Sequence, residues 1–418
     1  MSPMQATPAI VETLEDAYRR VRQATLDLVV DLAPEDTVAQ SMPETSPAKW
    51  HLAHTTWFFE QFLLGQADDY QPYNAQWMFL FNSYYQSVGP MHARPQRGLL
   101  TRPTLAEVLD YRRFVDERVA RLLARPDSGE ILTLVNLGLN HEQQHQELLL
   151  TDIKHLFSLN PLQPVYRESR QRSPAVVQPT DFINGREGIA EIGHAGDGFA
   201  FDCETPRHRV LLQPHALASR PVNNAEFAEF IRDGGYRTPT LWMSEGWDTV
   251  CRRGWNRPLY WSEDLEHEFT LGGTVEIDAA APVSHVSFFE ADAFARWAGA
   301  RLPTEAEWES AGAALPPMKG NFVGSGQLHP QPPDRGAGLL QMFGDVWEWT
   351  SSPYVNYPGY RPPAGALGEY NGKFMCGQYV LRGGSCATPA DHMRATYRNF
   401  FAPADRWQFM GLRLGMDR

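Results

Sequence analysis

The stretch GEILTLVNLGLNHEQQHQELLLTDIKHLF, residues 129–157, reads as one long helix whose centre carries His141-Glu142-Gln143-Gln144-His145. Residues four apart share a helix face, so His141 and His145 stand close enough to chelate one ion. Upstream, SPAKWHLAHTTWFFEQFLL (residues 46–64) reads as a second helix, with Ser46 as a capping side chain and Pro47 as the residue best tolerated at the first helical position. It contains His51 and His54, each a candidate for a third imidazole across a helical interior.

Two further helices flank this pair. Ile10, Leu14, Ala17, Val21 and Leu26 mark one; Thr104 and Glu107, at capping-box spacing, open another whose apolar face is Val108, Tyr111, Val115, Val119 and Leu122. Four such helices predict a bundle, whose interior takes metal ligands from facing helices. The loop over residues 65–103 is long enough to suggest a functional segment.

After the bundle, NPLQPVYRESRQRSPAVVQPTDF (160–182) holds four prolines and no sustained period, the mark of a linker. Beyond it the texture becomes short alternating apolar runs with frequent Gly, Pro and Trp, broken by brief helices at NAEFAEFIRDG and FFEADAFARWAG. The expected fold class is therefore α+β multidomain, with a helical domain over 1–160, a linker over 161–184 and an irregular α+β domain over 185–418.

Composition narrows the partners. A chain 43% hydrophobic and 21% charged can bury cores, and its 50 acids against 37 bases argue against a nucleic-acid partner. No run approaches the roughly 18 apolar residues of a membrane span, and MSPMQATPAI lacks the basic and apolar regions of an export signal. Four cysteines without a CxxC pair predict no disulfides, in keeping with a cytoplasmic location. Small molecules are the expected partners.

Imidazoles suit zinc, copper, iron and nickel alike. Read literally, HEQQH fits the H-E-x-x-H signature of zinc hydrolases, with Glu142 as general base. That chemistry calls for a substrate-binding edge strand beside the motif, and the surroundings here are all helical.

Seven ordered blocks then carry a resemblance: SPAKWHLAHTTWFFE, FNSYYQSVG, NHEQQHQE, RLPTEAEWE, GDVWEWTSSPY, YVLRGGSCATP and RATYRNFFAP. Together they resemble the ergothioneine-biosynthesis sulfoxide synthases. That family joins a DinB-like four-helix bundle to a formylglycine-generating-enzyme-like (C-type-lectin-like) domain. The resemblance implies non-haem Fe(2+) on His54, His141 and His145, with His51 structural. It implies an O2-dependent reaction joining the sulfur of cysteine or γ-glutamylcysteine to the imidazole C2 of hercynine, the trimethylated betaine of histidine.

By the same resemblance, Gln144 hydrogen-bonds the hercynine ring, while Asn399, Phe400 and Phe401 lie toward its trimethylammonium, which aromatic faces hold. Tyr85, or its neighbour Tyr84, is the phenol that delivers a proton. Arg94, with Arg97 as the alternative, pairs with the donor carboxylate. Trp347 and Trp349 read as core of the second domain.

The chain departs from one branch of the family, whose catalytic tyrosine comes from the C-terminal domain; the corresponding GYRPPAGALGEYNGKF has only Tyr360 and Tyr370. That branch also places Trp-Asp after the asparagine where this chain has Phe400-Phe401, so the carboxylate that would hold the donor's amino group is missing and cysteine becomes the favoured donor. Selenoneine and ovothiol synthases share the architecture. Formylglycine generation needs a cysteine pair after RGGS, and Cys386 has no following partner.

Overall fold

The computed structural model describes residues 12–125, 129–168 and 175–418. Ile10, residues 169–174 of the expected linker and the first residues of the chain lie outside them.

Among the described residues five α-helices occupy the first part of the chain: α1 (Leu14–Asp27), α2 (Ala48–Phe62), the short α3 (Trp77–Phe81), α4 (Leu105–Leu123) and α5 (Gly129–Leu159). Helices α1, α2, α4 and α5 form the bundle, and α2 packs against both α4 and α5. Every residue of α2 except Gln61 is buried. A helix covered on all sides has no polar face to keep, so its polar residues must find partners inside. At Gly138 of α5 the two helices come so close that a Cβ would stand 2.4 Å from the Phe59 ring.

The capping box of Thr104 and Glu107 forms as expected. Ser46 does not cap α2. The cap position is Pro47, and the Ser46 hydroxyl instead accepts from Arg97 at 2.9 Å, while the Ser46 backbone N–H donates to Asp152 at 2.8 Å. A buried guanidinium competes for that hydroxyl more strongly than a neutral amide does.

The rest of the chain is irregular α+β. Its helices are α6 (Asn224–Arg232), α7 (Ser244–Arg253), α8 (Phe288–Trp297) and α9 (Glu305–Gly312). Its strands are β1 (Phe182–Asn184), β2 (Gly188–Ile192), β3 (His208–Leu212), β4 (His215–Ala218), β5 (His267–Thr270), β6 (Gly273–Glu276), β7 (Trp347–Pro353), β8 (Tyr379–Arg382), β9 (Asn399–Phe401), β10 (Met410–Leu412) and β11 (Gly415–Asp417). The largest sheet runs β10-β7-β8-β9, with β7 parallel to β10 and antiparallel to β8. Strand β1 lies inside the stretch expected as linker and pairs with β4.

Trp347 and Trp349 are buried in this half, and the four cysteines are free. Among the described residues no helix is long and apolar enough to cross a membrane.

Helix α5 also joins the two halves. Glu147 accepts from the Trp347 indole at 2.7 Å, the Ser385 hydroxyl at 2.5 Å and the Thr388 hydroxyl at 2.8 Å, and Asp152 accepts from the Trp407 indole at 3.2 Å. The helix that carries the histidine pair is thus one to which the second half is fastened.

Candidate metal centre

His54, His141 and His145 converge, each with one ring nitrogen within 4.8 Å of the others. His54 comes from the wholly buried α2 and the other two from one face of α5. Burial holds all three imidazoles unprotonated, His141 with a pKa lowered to about 3.

The surrounding hydrogen bonds orient the rings. The Nδ1–H of His54 donates to the Phe81 carbonyl at 2.6 Å, which leaves its Nε2 as a lone pair facing the Nε2 of His141 at 3.2 Å. The Nδ1 of His141 has no partner among the described residues, so that ring is free to turn an Nε2 lone pair to the same point, where a cation would bring the two together. His145 meets His51 Nδ1 to Nδ1 at 2.8 Å, and His51 reaches Asp152 through Nε2 at 3.1 Å. The carboxylate accepts from His51, His51 accepts from His145, and the Nε2 of His145 is left free toward the other two rings. A metal-binding imidazole that donates its other N–H in this way is oriented and made more basic. The residues present therefore fit a divalent transition metal held by three neutral imidazoles.

His141 and His145 line a cavity of about 410 Å³ between the two halves, and His54 stands behind them, buried. Trp50 stacks on His54 with ring centroids 4.5 Å apart, and the Arg97 guanidinium lies 3.4 Å from the Trp50 centroid. Arg97 is buried, bonded to the Ser46 and Ser83 hydroxyls, and among the described residues it has no carboxylate partner. Burial and the like charge of Arg94 disfavour its charged form, and Asp152 opposes them without forming an ion pair, so an incoming carboxylate would relieve the guanidinium. Arg94 also lines the cavity and is tied to the Glu44 carbonyl.

Gln144, Asn399, Phe400 and Phe401 all line the cavity. Phe400 is stacked on Tyr354 at 4.1 Å, so its ring is held. The adjacent tyrosines divide: Tyr84 lines the cavity, whereas Tyr85 is fully buried behind it, among Trp57 and Phe62, with its hydroxyl 3.4 Å from that of Tyr84. Burial raises both phenol pKa values.

Two further tyrosines line the cavity: Tyr370, named above only as one of the two tyrosines of the C-terminal stretch, and Tyr397, which the sequence did not single out. Tyr370 comes from the 366–374 segment, with its ring centroid 5.7 Å from that of His141 and its hydroxyl donating to Gln144 Oε1 at 2.5 Å; Tyr397 accepts from Gln144 Nε2 at 2.7 Å. Both stood in stretches quoted above. Nothing local to either marks it as facing the bundle.

Glu142 faces away from the cavity. Its carboxylate accepts from Arg22 at 2.8 Å, Arg112 at 2.5 Å and Thr25 at 2.6 Å. Burial raises its pKa, but the arginines Arg112 and Arg22 overcome that and hold it near about 2. A carboxylate so engaged cannot serve as the general base of a zinc hydrolase.

Comparison with known proteins gives the class first. Residues 17–149 match the DinB superfamily, and residues 168–332 and 325–418 match the sulfatase-modifying factor enzyme 1-like domain, so the chain is a two-part protein with a metal-competent bundle and a domain of that second family. The C-terminal part alone is 32% identical to the formylglycine-generating enzyme of Mycobacterium tuberculosis, over 39% of this chain and 72% of that one. The whole chain is 33% identical to a hercynine oxygenase of Mycolicibacterium thermoresistibile, over 95% of this chain and 93% of the relative, and 32% identical to that of Mycobacterium tuberculosis, over 97% and 99%. This chain belongs to the hercynine oxygenases. It is a metal-dependent oxygenase acting on small molecules.

Proposed function

We propose that this protein is a non-haem iron(II) sulfoxide synthase of ergothioneine biosynthesis, joining the sulfur of cysteine to the imidazole C2 of hercynine at the expense of O2. The observation that carries this reading is the convergence of His54, His141 and His145 beside an interdomain cavity that His141 and His145 line, in a chain whose near full-length relatives are hercynine oxygenases. Iron(II) held by these imidazoles would supply coordination positions for a thiolate and for dioxygen, and electrons to activate the latter.

The side chains divide the remaining work. Arg97, without a counter-ion, and Arg94 beside it take the donor's carboxylate. Asn399, Phe400 and Phe401 form the wall for the trimethylammonium, which aromatic faces attract. Gln144 orients the imidazole next to the ligand face. Tyr84 supplies the proton from the cavity wall, and Tyr85 behind it donates a hydrogen bond that stabilises the resulting phenolate. With Phe401 where a carboxylate would meet a γ-glutamyl amino group, cysteine is the better donor.

Iron content and oxygen uptake test this. Uptake is expected only when hercynine and cysteine are both present, with the sulfoxide as product. Zinc as the native metal together with peptide hydrolysis would refute the reading. So would an absence of turnover with hercynine under any thiol.

A further inference from the structure

A chain of hydrogen bonds runs from α5 through the second half of the protein and back. The Asn140 amide nitrogen donates to the Asn136 backbone carbonyl at 2.9 Å. Asn140 Oδ1 lies 3.0 Å from His392 Nδ1, His392 Nε2 lies 3.1 Å from the Tyr397 hydroxyl, and that hydroxyl lies 2.7 Å from Gln144 Nε2. Gln144 Oε1 accepts from the Tyr370 hydroxyl at 2.5 Å. His392, Tyr397 and Tyr370 are all buried.

Every bond in this chain has one permitted direction, because a backbone carbonyl only accepts. The Asn140 group that faces Asn136 must be the amide nitrogen, so the group facing His392 is the amide oxygen. His392 must then carry its proton on Nδ1. Burial keeps the ring neutral, which makes Nε2 an acceptor. Tyr397 therefore donates to His392 and turns its lone pairs to Gln144, whose nitrogen must point at Tyr397. The Gln144 oxygen is left facing Tyr370, which donates to it.

We propose that His392 and Tyr397 are positioning residues that lock the Gln144 amide in one orientation and thereby commit the Tyr370 proton to Gln144, leaving the Tyr370 oxygen as a hydrogen-bond acceptor in the cavity. The ligand group this acceptor suits is an N–H of a neutral imidazole. Two of the cavity tyrosines then have opposite tasks: Tyr370 accepts from the substrate ring, and Tyr84 keeps a proton to give. The relay belongs to neither half alone, since Asn140 and Gln144 sit on the bundle and His392, Tyr397 and Tyr370 on the other domain. Docking of the halves is what sets the polarity at the site.

The kinetic arm of the test rests on the hercynine reading; the structural arm does not. In full-length protein with 15N-labelled histidine, the His392 signal, assigned by its loss in His392→Gln or His392→Asn, is expected to show the neutral Nδ1–H tautomer at neutral pH. The Nε2–H tautomer or an imidazolium would overturn the relay whatever the protein's substrate is. In kinetics, Tyr397→Phe removes the acceptor for Gln144, and the loss of one oriented hydrogen bond should raise KM for hercynine about five- to tenfold with KM for the thiol unchanged. His392→Gln, which keeps a donor and an acceptor, should restore most of what His392→Phe loses. Equal shifts in both KM values, or no shift in Tyr397→Phe, would count against the proposal.

Discussion

The rings of His51 and His145 meet Nδ1 to Nδ1 at 2.8 Å, so the histidine beside the ligand set touches the set itself and ties it to Asp152. Removing an outer hydrogen-bond partner of a metal-binding imidazole lowers affinity about 10- to 100-fold. His51→Ala is therefore expected to weaken iron binding by that factor, and His54→Ala to abolish it. Metal content after dialysis against graded chelator separates the two; equal retention in both variants would mean that His54 is no ligand.

Arg97 lies against Trp50 with no carboxylate of its own, whereas Arg94 is tied to a backbone carbonyl nearer the surface. Arg97→Met should raise KM for the thiol about 100-fold, and Arg97→Lys should recover little, because a point charge does not reproduce the planar fork. Arg94→Met should cost about tenfold or less. Steady-state kinetics with cysteine varied decides it, and a larger loss at Arg94 would reverse the assignment.

Tyr84 faces the cavity, and Tyr85 stands behind it. Tyr84→Phe is expected to divert turnover toward oxidation of the thiol, with sulfoxide falling about 100-fold, the usual scale of general acid catalysis. Tyr85→Phe should shift the same product ratio less. Product analysis by mass spectrometry is the check, and undiminished sulfoxide from Tyr84→Phe would rule out its role.

Glu142 balances two buried arginines at once. Glu142→Gln leaves them without their counter-charge and should destabilise the bundle by about 3–5 kcal/mol, read from denaturant unfolding of the intact chain. A loss below about 1 kcal/mol would show that water or Asp116 already compensates them.

Glu369 fastens the segment carrying Tyr370 to the tyrosine loop, accepting from Gln86 N–H at 3.0 Å, Ser87 N–H at 2.9 Å and the Ser87 hydroxyl at 2.5 Å. Burial raises its pKa, but the bonds from Ser87 outweigh that and bring it from the ordinary 4.5 down to about 2. A carboxylate with a depressed folded pKa stabilises fully above its unfolded value and loses that contribution as pH falls through the folded one. The difference in Tm between wild type and Glu369→Gln should thus be constant above about pH 5 and shrink toward pH 2. A difference that persists unchanged in acid would indicate that the clamp does not depend on charge.

Much of the bundle was legible because its signals are local. A helix period, the Thr104 and Glu107 capping box and two histidines four apart are consequences of 3.6 residues per turn, and chain geometry alone places them on one face. Ser46 shows where such signals mislead: its residue type suits a cap, but Arg97, 51 residues away in sequence, takes the hydroxyl. The family resemblance supplied expectations that spacing could not, namely His54 as third ligand and iron as the metal, and the structure brings His54 to the pair on α5.

By itself, then, the sequence determined the helical bundle, the paired histidines on α5 and the family. Tertiary structure alone decided which tyrosine faces the cavity, that Glu142 is spent on arginines, and that Tyr370 and Tyr397, 226 and 253 residues from Gln144, close on its amide. The reason is physical. Helix faces follow from bonds between near neighbours, whereas the walls of an interdomain cavity depend on how two separately built halves pack, and no local period encodes that packing.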